Sequence, residues 1–392
     1  MTATSMRAVN RATLIAAVRR TTGLTRAALS EATGLSKGAV SSLVAELLKS
    51  GVLYEGGKDG SRNRALHLNN ALGVALGIEV GRSECRGIVT DIGISPLGHT
   101  LQQVSSTSVE SYIGLICSMA RELLAAEQRP CLGLTVAVPG PTDPAGQVVV
   151  FSESLGWSDV PLAQRLSAEL GFPVSIANRP RAGAMGEHWY GAGLGVDDMV
   201  YVSVSDGIAA GVFIGGRLFL GATGYGGEFG HTTVLVDGPE CVCGNRGCLE
   251  TVASLPAIRE AIRGRLRRGE DARLREPITY QAIIAAARDG DALVLEEIRK
   301  ASDFVGIGVA NLINLFNPSM VIIGGYLAEA GEVVLNAIRK TAQRRAFPLS
   351  YGDVQIQRNA LSLDSACVGA CALVVNEYVA QMEPALLRSN WT

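Results

Sequence analysis

Residues 227–250 read GEFGHTTVLVDGPECVCGNRGCLE. Three of the eight cysteines, Cys241, Cys243 and Cys248, fall within eight residues, and Gly244 and Gly247 let the backbone fold sharply between them. Eight cysteines in 392 residues are too few for a disulfide scaffold, so the cluster points to metal binding in a reducing cytoplasm. With His231 as the fourth ligand it would make a closed tetrahedral Cys3His site, the donor set of structural Zn2+. The plainer alternative is three small, partly buried thiols without metal. Cys85, Cys117, Cys131, Cys367 and Cys371 lack that spacing and read as core residues.

Composition bounds the rest. With 47% hydrophobic and 18% charged residues and a formal net charge of −2, the chain is not disordered, and its length suggests two or three domains. No run of about 18 apolar residues is read, so no membrane span is expected. Met1 to Asn10 has no apolar core, so neither is a secretory signal. The near-neutral total hides an asymmetry. Residues 1–70 hold ten Lys and Arg (Arg7, Arg11, Arg19, Arg20, Arg26, Lys37, Lys49, Lys58, Arg62, Arg64) against Glu31, Glu46, Glu55 and Asp59, a net +6 that leaves −8 on the remainder. A small basic head on a larger acidic body fits a protein that touches nucleic acid at one end.

Within the head, Leu14, Ile15 and Val18 share one face of a helix over Asn10–Thr21. Thr25 can cap a short helix whose Ala28, Leu29 and Ala32 point inward; Gly34-Leu35 turns, and Ser36 caps a helix over Lys37–Lys49. That helix would bury Val40, Leu43, Val44, Leu47 and Leu48 and leave Lys37, Ser41 and Ser42 outside. Two short helices joined by a glycine turn suit a major groove. Val52–Glu55 and Ala65–Leu68 around the loop GGKDGSRNR read as a hairpin wing, whose Arg62 and Arg64 suit phosphates or the minor groove. Residues 1–70 are therefore read as a winged helix-turn-helix domain that meets DNA through Arg26, Ser36, Lys37, Ser41, Ser42, Arg62 and Arg64. The competing reading is a three-helix protein-interaction bundle.

From Leu72 onward the pattern changes to short β-branched runs, Val74–Val80, Cys85–Ile92 and Leu97–Val104, then a helix near Tyr112–Ala126 and a strand at Leu132–Val138. The order recurs: strands at Met199–Val204 and Ala209–Ile214, a helix over Asp291–Phe316, a strand at Met320–Ile323 and a helix over Glu332–Arg345. Strands followed by helices, twice over, imply two α/β lobes with a cleft between them. The expected bounds are 73–178 for the first lobe, joined by a C-terminal helix over 365–385, and 179–364 for the second, which carries the cysteine loop. Asn69–Leu72 is the joint to the head.

The ExGH of Glu228–His231, followed by the CxCGxxGCxE of Cys241–Glu250, resembles the ROK family (repressor, open reading frame, kinase). Its members are sugar kinases and sugar-responsive repressors. The winged head is similar to the repressor branch, which includes the xylose and N-acetylglucosamine operon repressors. The resemblance spans about residues 73–385 and implies an α/β chain in which the winged head precedes a two-lobed actin-like ATPase or sugar kinase fold. It further implies that Glu228, His231 and Glu250 face sugar hydroxyls and that Asn178 matches the family's sugar-binding Asn. Gly140 matches its Pro-Gly turn beside the ring, and Ser154 stands where many members place another Asn. Carboxylates and imidazole suit vicinal hydroxyls chemically.

The resemblance also marks what has changed. A ROK kinase carries a catalytic Asp directly after that Asn; here stands Arg179, always protonated and unable to act as a general base. The first phosphate motif, close to DxGGT, reads Glu79-Val80-Gly81-Arg82-Ser83, and the second, close to GTGxGxG, begins Ser205-Asp206-Gly207. A carboxylate such as Asp206 about 4 Å from a phosphate costs on the order of 4 kcal/mol at an effective dielectric near 20. Loss of phosphoryl transfer is the expectation. Glu79, Arg179 and Asp206 would either form an ion pair or triad in an obsolete cleft, or let Arg179 read an anionic effector by bidentate hydrogen bonds.

The chain is thus read as a cytoplasmic repressor that binds a double-stranded DNA operator as a homodimer or tetramer. It would answer to a sugar, sugar phosphate or sugar acid in the interlobe cleft. Two alternatives stand: a ROK sugar kinase with an appended DNA-binding head, and a ligand-independent DNA-binding protein. Arg263–Arg268 (RGRLRR) reads as a solvated face, Gly324-Gly325 as the family's adenosine-side turn or any strand-to-helix turn, and His99 and His188 carry no assigned role.

Overall fold

The computed structural model describes residues 3–56 and 64–388. They divide into two compact units, Met1–Ala182 with Ala366–Thr392, and Gly183–Ser365.

The first unit starts with α1 (Ala3–Arg20), seven residues earlier than the apolar spacing marks. Charge holds those first turns: Arg7 donates to the Glu46 carboxylate at 2.9 Å, and the buried Arg11 pairs with the same group. Two of the ten head cations are therefore spent internally. Thr25 caps α2 (Arg26–Thr33) by accepting from the Ala28 N–H, and Gly34, in the left-handed region, ends it. Ser36 caps α3 (Lys37–Lys49) by accepting from the Ala39 N–H at 3.3 Å. Val40, Leu43, Val44 and Leu47 are buried, and Leu48 is half-buried. Ala32, expected inward, is exposed, because two turns of α2 bury only Leu29.

β1 (Leu53–Gly56) and β2 (Ala65–Leu68) pair antiparallel with Leu53 opposite Leu68, and Leu24 bridges to Leu66. Helix, bridge, helix, helix and hairpin make a winged helix-turn-helix. The wing tip, with Lys58 and Arg62, lies outside the described residues. Asn69 donates through Nδ2 to the Gly51 carbonyl at 2.9 Å, and Arg129 donates to the Asn70 carbonyl at 3.0 Å. The joint is pinned at both ends, so the head falls in one compact unit with the lobe that follows.

In that lobe β3 (Val74–Val80), β4 (Glu84–Asp91) and β5 (Pro96–Gln103) form an antiparallel meander. After α4 (Val109–Leu124), β6 (Cys131–Val138) adds parallel to β3. A hairpin of β7 (Val149–Ser152) and β8 (Trp157–Val160) and the helix α5 (Leu162–Leu170) lead to β9 (Val174–Asn178), parallel to β6. α6 (Arg179–Tyr190) carries the chain into the second unit.

There the same plan repeats. β10 (Met199–Val204), β11 (Ile208–Ile214) and β12 (Arg217–Leu218) form the meander. The helices α7 (Leu249–Ala253), α8 (Leu255–Arg267), α9 (Tyr280–Arg288) and α10 (Ala292–Phe316) intervene before β13 (Met320–Gly324), which is parallel to β10. α11 (Glu332–Arg345) and α12 (Pro348–Tyr351) precede β14 (Gln355–Arg358), parallel to β13. The strand orders β5-β4-β3-β6-β9 and β12-β11-β10-β13-β14 are thus one topology used twice, as an actin-like fold requires.

α13 (Ser365–Arg388) returns to the first unit. The stretch Ser362–Gln381, which runs into this helix, is long and apolar enough to pass for a membrane span, against the expectation of none, and 67% of it is buried within the protein. It is a core helix: Cys367 and Cys371 are fully buried, and Cys371 Sγ lies 3.6 Å from the Ala75 carbonyl of β3. Three of the four arginines of the basic run at the end of α8 are paired with acids where they stand. Arg263 pairs with Glu260 and Glu276, Arg265 with Glu270, Glu296 and Glu297, and Arg268 with Glu270.

Two neighbours in α6 stand out: Glu187, which the sequence does not mark, and His188, which it leaves without a role. Glu187 is fully buried, and its carboxylate accepts from the Ala192, Ala360 and Leu361 N–H groups and from the Ser365 hydroxyl, at 2.7–3.0 Å. His188 stacks on Phe213 with ring centroids 4.0 Å apart, and neither ring nitrogen has a hydrogen-bond partner. Burial pushes its pKa down from 6.5 to about 4. Between those values the unfolded chain takes up a proton that the folded chain refuses, so stability falls as the pH drops, by about 3 kcal/mol once below pH 4. His188→Phe keeps the stack and should lose less melting temperature between pH 7 and pH 5 than the wild type. Equal losses would contradict a buried neutral imidazole.

Candidate functional site

Thirty residues separate β12 from α7, with no regular element except the 3₁₀ turn Phe229–His231. The turn is anchored by the buried Phe229 ring, which lies against Gly308 of α10 where a methyl group would come within 2.5 Å of Cζ. The Gly227 carbonyl accepts from the Ala210 N–H of β11 at 3.1 Å and from the Phe229 N–H at 2.7 Å. With Phe229 turned inward, Glu228 is exposed and His231 half-buried. The Glu228 carboxylate has no protein partner among the described residues.

The cysteine loop closes on itself. Cys241 N–H donates to the Asn245 carbonyl and Gly247 N–H to the Pro239 carbonyl, each at 2.8 Å. Only glycine fits at 247: φ is +66°, and a Cβ would lie 1.6 Å from the Leu235 carbonyl oxygen. The result brings His231, Cys241, Cys243 and Cys248 together, with their ligand atoms all within 4.8 Å of one another. His231 Nδ1 is 3.5 Å from Cys241 Sγ, and Cys243 Sγ is 3.7 Å from Cys248 Sγ. A tetrahedral zinc ion with ordinary bond lengths has S···N and S···S edges of about 3.6 and 3.8 Å. The cluster therefore has the donors and the spacing to hold a metal ion.

Its surroundings suit that task. Asn245 donates through Nδ2 to Thr233 Oγ1 at 2.9 Å and lies 3.5 Å from Cys248 Sγ, an N–H···S contact that favours thiolate. Burial raises the Cys241 and Cys248 thiols, whereas the Asn245 backbone N–H lowers that of the exposed Cys243. Glu250 turns Oε1 toward the cluster, 3.6 Å from His231 Nδ1 and 3.7 Å from Cys241 Sγ. The resemblance had assigned it to hydroxyls alone. His231 likewise commits Nδ1 to the cluster and keeps Nε2 for another partner.

The Ser205–Gly207 turn is held from within the same unit. Ser205 Oγ accepts from the Tyr326 N–H at 3.1 Å, and its carbonyl accepts from the Leu255 N–H at 2.9 Å. Asp206 is half-buried on this turn. The Tyr201 ring packs over Gly324, so packing alone accounts for glycine there.

In the first unit, Gly140 has φ +96°, and a Cβ there would lie 2.2 Å from the Phe151 carbonyl oxygen. Its own carbonyl accepts from Asn178 Nδ2 at 2.9 Å, while Asn178 Oδ1 accepts from the Arg181 N–H at 3.3 Å and caps α6. Asn178 therefore joins a turn to a helix start, with one amide hydrogen and one lone pair to spare. Arg179 Nε lies 3.7 Å from Glu79 Oε1, with both side chains largely covered. The pair forms within this unit, and Asp206 belongs to the other. Ser154 sits half-buried on the turn between β7 and β8.

On the head, Lys37 and Ser41 are exposed on α3, and Ser36 is spent on its cap. The Ser42 hydroxyl meets Arg7 Nη2 at 3.4 Å. Arg26 and Arg64 both pair with Glu55.

The model described as the ROK family matches residues 75–377. The chain is 31% identical to the xylose repressor of Bacillus subtilis (strain 168) over 383 residues, 96% of this chain and 97% of the repressor. It is 32% identical to the glucokinase of Thermotoga maritima over 310 residues, 77% of this chain and 96% of the kinase. Among solved structures it is similar to a ROK family transcriptional regulator described as a homologue of the Escherichia coli MLC protein. That match has a TM-score of 0.78 and 25% identity, covering 96% of this chain and 97% of the other.

The cluster predicts one tetrahedral ion per chain. Purified protein refolded with Co2+ should show thiolate-to-cobalt absorption, and Cys248→Ser should lose it together with several degrees of melting temperature. Unchanged stability after complete chelation would contradict a structural role.

Proposed function

The chain belongs to the ROK family, and on that premise we propose that it is a transcriptional repressor that binds DNA through its head, senses a sugar or sugar derivative in its body, and transfers no phosphate. The observation that carries this reading is the conjunction of a winged head with Arg179 at the base's position, ion-paired to Glu79. A guanidinium cannot take the proton of an attacking hydroxyl. The similarity to the xylose repressor runs through the head, while that to the Thermotoga maritima glucokinase covers 77% of this chain.

Each unit keeps groups that suit hydroxyls. The second offers the open Glu228 carboxylate, the free edge of Glu250 and Nε2 of His231; the first offers the spare valences of Asn178, beside Gly140 and Ser154. Zn2+ bound by His231, Cys241, Cys243 and Cys248 would hold the loop that carries the first set. An effector acts only through its differing affinity for two states of the protein. One head buries little surface, so a homodimer or tetramer on paired half-sites is the working form, in the cytoplasm.

One observation favours an anionic effector. Arg179 meets Glu79 through Nε, and its Nη1 and Nη2 have no partner among the described residues. That fork matches a phosphate or carboxylate.

Three measurements test the reading. A coupled phosphorylation assay with ATP over common hexoses and amino sugars should show no turnover by the wild type; turnover above background favours the kinase instead. Calorimetry should find a sugar phosphate or sugar acid bound more tightly than its neutral sugar, a preference that Arg179→Ala removes. Equal affinities refute the anionic effector. Lys37→Ala should weaken binding to duplex DNA, by about 1–3 kcal/mol if it reads a base and less if it meets a phosphate.

A further inference from the structure

Glu55 stands on β1 and holds an arginine on either side. Arg26 Nη1 is 2.8 Å from its Oε1, and Arg64 Nη1 is 3.1 Å from its Oε2. Arg26 opens α2, and Arg64 immediately precedes β2, so one carboxylate ties the first helix of the helix-turn-helix to the base of the wing. The two guanidinium side chains stay exposed, at 37% and 44%, while the acid between them is 20% exposed. The hydrogen bond from Arg26, and then that from Arg64, hold the Glu55 carboxyl below its ordinary range against its partial desolvation, so it is charged at neutral pH.

The elements joined are the two that meet phosphates. In a helix-turn-helix the first helix crosses the DNA backbone while the second enters the groove, and the wing is the other backbone-facing part of the head. Arg26 stands in the first turn of α2, where unpaired backbone N–H groups and the helix dipole add to the attraction for an anion. It gives one Nη to Glu55 and keeps Nε and Nη2 without a partner among the described residues. A long side chain already pinned loses less rotamer freedom when a phosphate arrives.

We propose that Glu55 is a positioning residue for DNA, which presents the Arg26 and Arg64 guanidinium groups together as a two-pronged receptor for neighbouring backbone phosphates. The proposal rests on the reading of the head as DNA-binding. It is opposite in sign to what net charge dictates: an acid on a DNA-facing surface repels phosphate, so charge alone makes its removal strengthen binding to every duplex.

The test uses the full chain and a duplex that the wild type selects in vitro from a random library, beside an unrelated duplex of equal length. Glu55→Ala should weaken binding to the selected duplex about tenfold and reduce the slope of log affinity against log salt by about two, one for each phosphate that its arginine no longer meets. Binding to the unrelated duplex should weaken as well, because phosphate contacts carry no sequence information. In an Arg26→Ala/Arg64→Ala background, Glu55→Ala should have no further effect. Glu55→Gln, which keeps the size and one acceptor oxygen, should show an intermediate loss at an unchanged melting temperature, and it separates positioning from folding. Selected-duplex affinity that is unchanged or raised in both variants overturns the proposal, as does an equal loss in the background lacking both arginines. If the wild type enriches no sequence at all, the DNA-binding reading of the head fails and takes this inference with it.

Discussion

Four soft donors must sit at the corners of one small tetrahedron, and the loop between β12 and α7 depends on that constraint. Loops beyond about 12–15 residues without regular structure are uncommon in compact domains unless they are functional; this one is twice that length. Much of it is exposed, with Val236 at 81% and Val242 at 69%, so little apolar burial stabilises it. What orders it is a buried phenylalanine at one end, a glycine that lets Leu235 and Gly247 touch backbone to backbone, and the Cys3His cluster. Metal binding at such a site is folding free energy. A metal ion held there would engage Nδ1 of His231, and with one oxygen of Glu250 turned toward the cluster it would leave Nε2 and the open Glu228 as the groups for a ligand to meet. The cluster thus decides which polar edges remain available for recognition.

The rest of the body is a duplicated scaffold, and on the proposed reading Arg179 stands where a kinase of the family keeps its base. A general base must be able to accept a proton, and a guanidinium, which stays protonated, has no lone pair to offer. The Ser205–Gly207 turn spends its polar groups on Leu255 and Tyr326, and its aspartate adds negative charge where the family's loop meets phosphate. On the proposed reading, the groups suited to hydroxyls are kept and the proton acceptor is exchanged. A sensor needs only the first of these.

Much of this was legible in the sequence, for physical reasons. Val74–Val80 and Glu332–Arg345 coincide with β3 and α11, because β-branched runs and amphipathic spacing bounded by glycine and proline have few other ways to fold. The Cys and His spacing pointed to its cluster because soft donors that close in sequence have little else to do. What escaped notice was set by tertiary contacts. β14 (QIQR) is a polar edge strand with no alternation to announce it, and α6 begins Arg-Pro-Arg with no apolar stripe. Arg11 adds to the head's net charge in sequence, yet it is buried against Glu46, and the acids that pair with Arg263, Arg265 and Arg268 come in part from other elements. Asn178 and Gly140 were read as ligand contacts, yet each is also demanded by the backbone. Glu187 gives no signal in the sequence, since three of its four donors, at Ala360, Leu361 and Ser365, are distant in sequence.

The central claim is that one chain binds DNA and releases it in answer to a sugar-like ligand without chemistry. The most direct test follows fluorescence anisotropy of a labelled duplex, selected by the metal-loaded full-length protein, while neutral sugars, sugar phosphates and sugar acids are titrated in without nucleotide. The account predicts that one of these ligands lowers DNA affinity saturably, with no change in the ligand recovered afterwards. DNA affinity that no ligand alters, or a ligand recovered in phosphorylated form once ATP is supplied, would contradict it.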